Sequence, residues 1–173
     1  EAAIRDGGWR VRTAAVQALQ RTGQPGATEV LVQCLGDAFR VVREAAVQAL
    51  QALGWTPDSG VAAAMLALAS EDWAGLSEVG PPAIDLLARV LFEEGTDAIA
   101  VERRERAVEA LESIGEKHPD PKRLTEALRP ALSDPGGPVL AAAARAAGRL
   151  GLTGLGPVLL ALAQTDPREP VRV

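Results

Sequence analysis

The 173-residue sequence has no tyrosine, two phenylalanines and three tryptophans, so aromatics make up only 3% of it. β-Sandwiches and barrels are built from β-branched and aromatic side chains, and a chain rich in Ala and Leu but poor in aromatics points instead to helices. There is one cysteine, Cys34, and one histidine, His118, which excludes a disulfide framework and a Cys/His zinc site within this chain. The longest uninterrupted apolar run, Val61 to Ala69, is far short of the roughly 20 residues that span a bilayer. No membrane partner is therefore expected, and the expected compartment is the cytoplasm. None of the five serines (59, 70, 77, 113 and 133) lies in a nucleophile elbow, and no Gly-rich phosphate loop is present. No catalytic residue, cofactor or metal ligand is assigned.

What the chain does contain is a repeat. Residues 11–20 read VRTAAVQALQ and residues 42–51 read VREAAVQALQ, one mismatch in ten at an offset of 31. Asp6 and Asp37 keep the same offset. Farther on, Arg104, Ala107, Val108, Ala110, Leu111 and Gly115 fall on Arg43, Ala46, Val47, Ala49, Leu50 and Gly54. Asp134, Val139 and Gly151 then fall on Asp37, Val42 and Gly54, and Asp166 with Arg172 opens another copy. A shortened copy ends at Gly80 and restarts at Pro81-Pro82. The units are 6–36, 37–70, 71–96, 97–133 and 134–165, with the start of a sixth at 166–173.

Each unit reads as two helices. Val11, Ala14, Ala15, Ala18 and Leu19 recur at helical spacing, Thr22 to Gly26 is a stop and a turn, and Val30, Leu31, Cys34 and Leu35 form a second stripe. A helix pair this small cannot bury its own apolar face and must stack on the next pair, so the expected fold is all-α: a right-handed α-solenoid of about five helix-turn-helix units. Cys34 reads as a core thiol, Trp9, Trp55 and Trp73 as packing between units, and His118 as a solvated residue in a Gly115–Pro121 linker.

An Asp, five residues, an Arg, an Ala-rich helix and a terminal Gly resemble the HEAT-like repeat, in particular the short bacterial form of phycobilisome lyase subunits. The motif is carried by Asp6 with Arg12, Asp37 with Arg43, and Asp166 with Arg172, and the resemblance covers essentially the whole chain. It implies a hydrogen-bonded ladder between units that also takes in Arg104 and Asp134. Leu140 replaces the Arg of unit five, and Asp97 lies seven residues before Arg104, so the ladder is expected to break there. Tetratricopeptide repeats are the nearest competitor, and their Trp, Gly and Tyr signature is absent.

The resemblance implies a non-catalytic scaffold that binds a protein or peptide on the concave face formed by the second helices. With Leu31, Cys34 and Leu35 turned inward, the equivalent trios are Met65, Leu68 and Ala69; Leu87, Val90 and Leu91; and Leu128, Ala131 and Leu132. The flanking positions then face the groove: Glu29, Gln33, Ala63, Ala67, Asp85, Arg89, Glu126 and Pro130. Residues 55–97 hold eight acidic side chains against one basic, within a net charge of −5, so the expected partner is basic with an apolar anchor. The alternatives are a subunit of a bilin-lyase-like or other HEAT-like enzyme, or a nucleic-acid binder, the last disfavoured by the scarcity of lysine. Glu1 is no initiator and the last copy is cut short, so the chain reads as part of a longer protein. Its apolar start, Ala2-Ala3-Ile4, and its PVRV end predict end-to-end self-association.

Overall fold

The computed structural model describes the backbone of residues 2–165 and the side chains of residues 8–164. The described residues contain ten α-helices, three short 3₁₀ turns and no strand. They divide into two compact units whose boundary lies between Asp72 and Trp73.

The first unit comprises α1 (Ala2–Thr22), α2 (Ala27–Cys34), α3 (Arg40–Ala52) and α4 (Gly60–Ala69). α1 packs on α3, and α2 packs on α3 and α4. Val16, Leu31, Leu35, Val42, Ala46, Ala49 and Leu50 form the core, with Trp9, Phe39 and Trp55 closing over it. Alanines on the packed face of α3 keep the facing side chains short, so neighbouring helices can approach closely. α1 starts earlier than the stripe beginning at Val11 suggests, and runs through Asp6, Gly7 and Gly8 without a break.

The second unit comprises α5 (Trp73–Val79), α6 (Ile84–Val90), α7 (Ala98–Lys117), α8 (Pro121–Leu128), α9 (Gly137–Arg149) and α10 (Gly156–Thr165). α7 is its central element, packed on α5, α6, α8 and α9, while α6 also lies against α8. Ala107, Val108, Leu111 and Ile114 of α7 and Ala143 and Ala146 of α9 are all fully buried. Burial of a Leu such as Leu111 stabilises by about 1.5–3 kcal/mol. Gly115 is not the helix stop that its alignment with Gly54 predicts. α7 continues to Lys117, and Gly115 is buried inside it, where an added Cβ would come within 2.8 Å of Leu150 and 2.9 Å of Leu124. The glycine serves a close approach between helices, and the chain turns three residues later, at His118.

Three helices end in one way. The N–H groups of Trp55, Asp72 and Leu152 reach back to the carbonyls of Leu50, Ala67 and Ala147, and the residue before each donor has a left-handed backbone. At the ends of α3 and α9 that residue is Gly54 or Gly151, which carry no Cβ to strain the turn. After α4 it is Glu71, with φ +56°, the only non-glycine at positive φ among the described residues. Glu71→Gly is expected to raise the unfolding free energy by about 1 kcal/mol in urea denaturation. Gly54→Ala should lower it by a similar amount.

Candidate functional site

Arg12 of α1 donates through Nε and Nη2 to the two carboxylate oxygens of Asp37, at 2.6 and 3.0 Å. Arg104 of α7 does the same to Asp134, at 2.6 and 3.3 Å. The two aspartates have a further bond in common: Asp37 accepts from the N–H of Phe39, and Asp134 from that of Gly136, two residues on in each case. The carboxylate thus shapes the turn into its own first helix while gripping the arginine of the first helix one pair earlier. Such a fork-to-fork bond fixes both distance and angle. At Gly136 an added Cβ would lie 2.9 Å from the Asp134 carboxylate, so a side chain there would have to displace the oxygen that accepts its N–H.

Environment separates the two bridges. The Arg104 and Asp134 side chains are 2% and 4% exposed, whereas Arg12 is 42% exposed. Arg104 also donates through Nη1 to the carbonyl of Glu93. Arg43 donates to the main-chain carbonyls of Asp37 and Ala38, and its charge adds to the field of Arg12 on the Asp37 carboxylate. The break expected at Asp97 is only half present. Asp97 caps α7 by accepting from the N–H groups of Ile99 and Ala100, but Arg104 still bridges forward to Asp134. The side chain of Asp6, and all of Asp166 and Arg172, lie outside the described residues. Leu140 is buried beside Ala141 and Leu162.

A family model for HEAT repeats matches residues 1–51 and 96–173. The chain belongs to the HEAT-repeat family. No curated protein and no solved structure matches it. The match is to HEAT repeats as a class and does not single out the phycobilisome lyase form.

The second helices of this HEAT-repeat chain carry the row named from sequence. Glu29 and Gln33 are exposed on α2, Ala63 and Ala67 are half-buried on α4, and Asp85 and Arg89 are exposed on α6. Glu126 is exposed on α8, and Pro130 is half-buried at the start of the 3₁₀ turn that follows. Beneath them Leu31, Leu35, Leu87, Val90, Leu128 and Leu132 are buried. Asp85 is not free on this surface, because Arg123 of α8 pairs with it at 2.9 Å. Glu29 and Glu126 have no ion pair among the described residues.

Sequence reading missed Arg123 and two further bridges, Lys117 to Glu78 and Arg149 to Glu112. All three join residues 37 to 39 apart in sequence, so opposite charges one unit apart were the available signal. The Glu78 carboxyl is held below its ordinary range by the Lys117 hydrogen bond. Cys34 is half-buried against the first core, and burial followed by the Asp37 charge pushes its thiol up, which suits a packing role. The Trp73 ring is covered by the Arg103 guanidinium at 5.7 Å. His118 caps the end of α7 with its ring against Gly80.

Two tests follow from the bridges. Arg104→Ala leaves the Asp134 charge buried and should cost about 3–5 kcal/mol in chemical denaturation. Arg106→Ala, which removes only exposed pairs on the same helix, should cost no more than about 0.5 kcal/mol. Burial pushes the Asp37 carboxyl up, but the bonds from Arg12 and the Phe39 N–H, with the fields of Arg12 and Arg43, outweigh it and hold the carboxyl below its ordinary value. The folded state therefore resists protonation more than the unfolded chain does. The stability this confers is complete above the unfolded pKa of about 3.9 and is lost as pH falls through the lower folded value. Asp37→Asn should flatten that acid limb in thermal melts while lowering stability at neutral pH.

Proposed function

We propose that this HEAT-repeat chain is a non-catalytic docking module that holds a protein or peptide segment along the second helices of its repeats, and that the segment is basic with an apolar anchor. The observation that carries the reading is the contrast between two sets of carboxylates. Asp37, Asp134, Asp85, Glu78, Glu93 and Glu112 are each neutralised by an arginine or lysine of the fold. Glu29 and Glu126, on the second-helix row, are not. An exposed acid without an internal partner adds nothing to folding and leaves its field available to a cation from outside.

The small residues Ala63 and Ala67 on α4 support the apolar half of the reading, since they leave a shallow patch beside α2 in the first compact unit. In the second unit the Asp85–Arg123 bridge narrows the acidic part of the row to Glu126.

The test is capture of a helical Lys/Leu peptide, followed by calorimetry at low and high salt. Glu126→Lys is expected to weaken capture about threefold to tenfold and to reduce its salt sensitivity, leaving the melting temperature almost unchanged because Glu126 is exposed. Glu29→Lys should act in the same direction from the first unit. Asp85→Asn should have the smaller effect on capture, its charge being already neutralised by Arg123.

A further inference from the structure

The turn edge of the second unit holds a cleft of about 420 Å³ directly over the buried Arg104–Asp134 bridge. Leu91, Phe92, Pro130 and Pro135 form its apolar walls, with Glu93 and Glu94 at its rim. Phe92 is one of two phenylalanines in the chain, and 71% of it is exposed. An aromatic ring left in water beside two prolines is a surface awaiting an apolar group.

The loop that makes this rim is held in place from several sides. The Glu93 carbonyl accepts from Arg104, and the Glu93 carboxylate from Arg103 at 2.9 Å. Asp97 anchors the far end of the loop by capping α7. Gly95, at φ +139°, allows the chain between them to pass Ala100, whose Cβ would lie 2.7 Å from an added one. The cleft is thus preorganised, so a ligand need not order it. Electrostatics then choose the occupant. Arg104 at the floor is neutralised by Asp134, and Arg103 neutralises Glu93, so Glu94 is the rim charge that has no ion pair among the described residues, within the most acidic stretch of the sequence. Pro130 joins this cleft to the second-helix row, being four residues after Glu126.

We infer that this cleft is the anchor site of the docking surface: it takes an apolar side chain of a peptide against Phe92, Pro130 and Pro135 while an adjacent lysine or arginine of that peptide pairs with Glu94. The inference rests on the docking reading above and names its partner chemistry and its point of attachment.

The experiment is an NMR titration of the ¹⁵N-labelled 173-residue chain with an acetylated, amidated Lys-Leu-Lys peptide, with Glu-Leu-Glu and Lys-Ser-Lys as comparators. Lys-Leu-Lys should shift the amides of residues 92–96 and 133–134 at lower concentration than either comparator. Glu94→Lys should weaken it about tenfold and Phe92→Ala about fivefold. Both side chains are exposed, so the spectrum of each free variant should otherwise match the parent. Equal shifts from all three peptides, or no effect of the two variants, would overturn the anchor site, as would no shift at any concentration reached. Shifts confined to Glu29, Gln33, Arg89 and Glu126 would overturn the cleft while leaving the docking reading intact. Loop shifts that follow protein concentration without peptide would replace the peptide with a second copy of the chain and overturn it equally.

Discussion

A guanidinium taken out of water must find a partner of opposite charge and matched geometry, or its burial costs several kcal/mol. Arg104 meets that requirement with both oxygens of Asp134, a residue of the next helix pair, and with a carbonyl from the loop that precedes its own helix. One side chain thereby ties together an incoming loop, a helix and the following turn. The Arg12–Asp37 bridge repeats the arrangement in the first unit with a wetter guanidinium. Because each aspartate also directs the backbone two residues beyond it, the bridge sets where the next first helix begins. Apolar contacts between alanine-rich faces are nearly featureless and would tolerate sliding. The fork of two directional bonds supplies the register they lack.

The same logic operates more weakly at the surface. Bridges from α7 to α5, from α8 to α6 and from α9 to α7 join charges separated by about one repeat. Exposed pairs of this kind contribute at most about 1 kcal/mol each. Their larger consequence is to decide which acids remain available: among the described residues some of the exposed acids are neutralised by the fold and others are not. Glu29, Glu94 and Glu126 are among the latter, and they lie on second helices or at the turn that follows one. Folding thus turns a diffuse excess of negative charge into particular positions beside apolar surface.

Much of the architecture was legible before any coordinates. The matched decapeptides at 11–20 and 42–51 determined helix pairs of similar build, and, of the inward trios, Leu31, Leu35, Ala69, Leu87, Val90, Leu91, Leu128, Ala131 and Leu132 are buried while Cys34, Met65 and Leu68 are half-buried. Helix ends were less legible where one residue type serves two purposes. Gly54 ends a helix, whereas Gly115, aligned with it, lies within the last turn of one and lets two leucines approach it. Glu71 holds a left-handed turn that composition would give to glycine. A helical turn and a close contact both select a missing Cβ, and a single sequence does not say which.

By itself, then, the sequence determined helical repeats, their spacing and the identity of the Asp and Arg residues that recur, because these follow from local periodicity and from a pattern seen more than once; it did not determine the inward face of α1, where Val11, Ala14, Ala15 and Ala18 of the expected stripe are exposed and Val16 is buried instead. Tertiary structure alone decided who pairs with whom. Asp37 takes Arg12 of the preceding first helix, Asp97 turns to capping, Arg123 neutralises Asp85, and the loop after α6 closes a cleft with Pro130 and Pro135. Each of these is a choice among several chemically equivalent partners. It is made by the distance and angle at which one helix pair meets the next, and that geometry is a property of packed faces rather than of any stretch of chain.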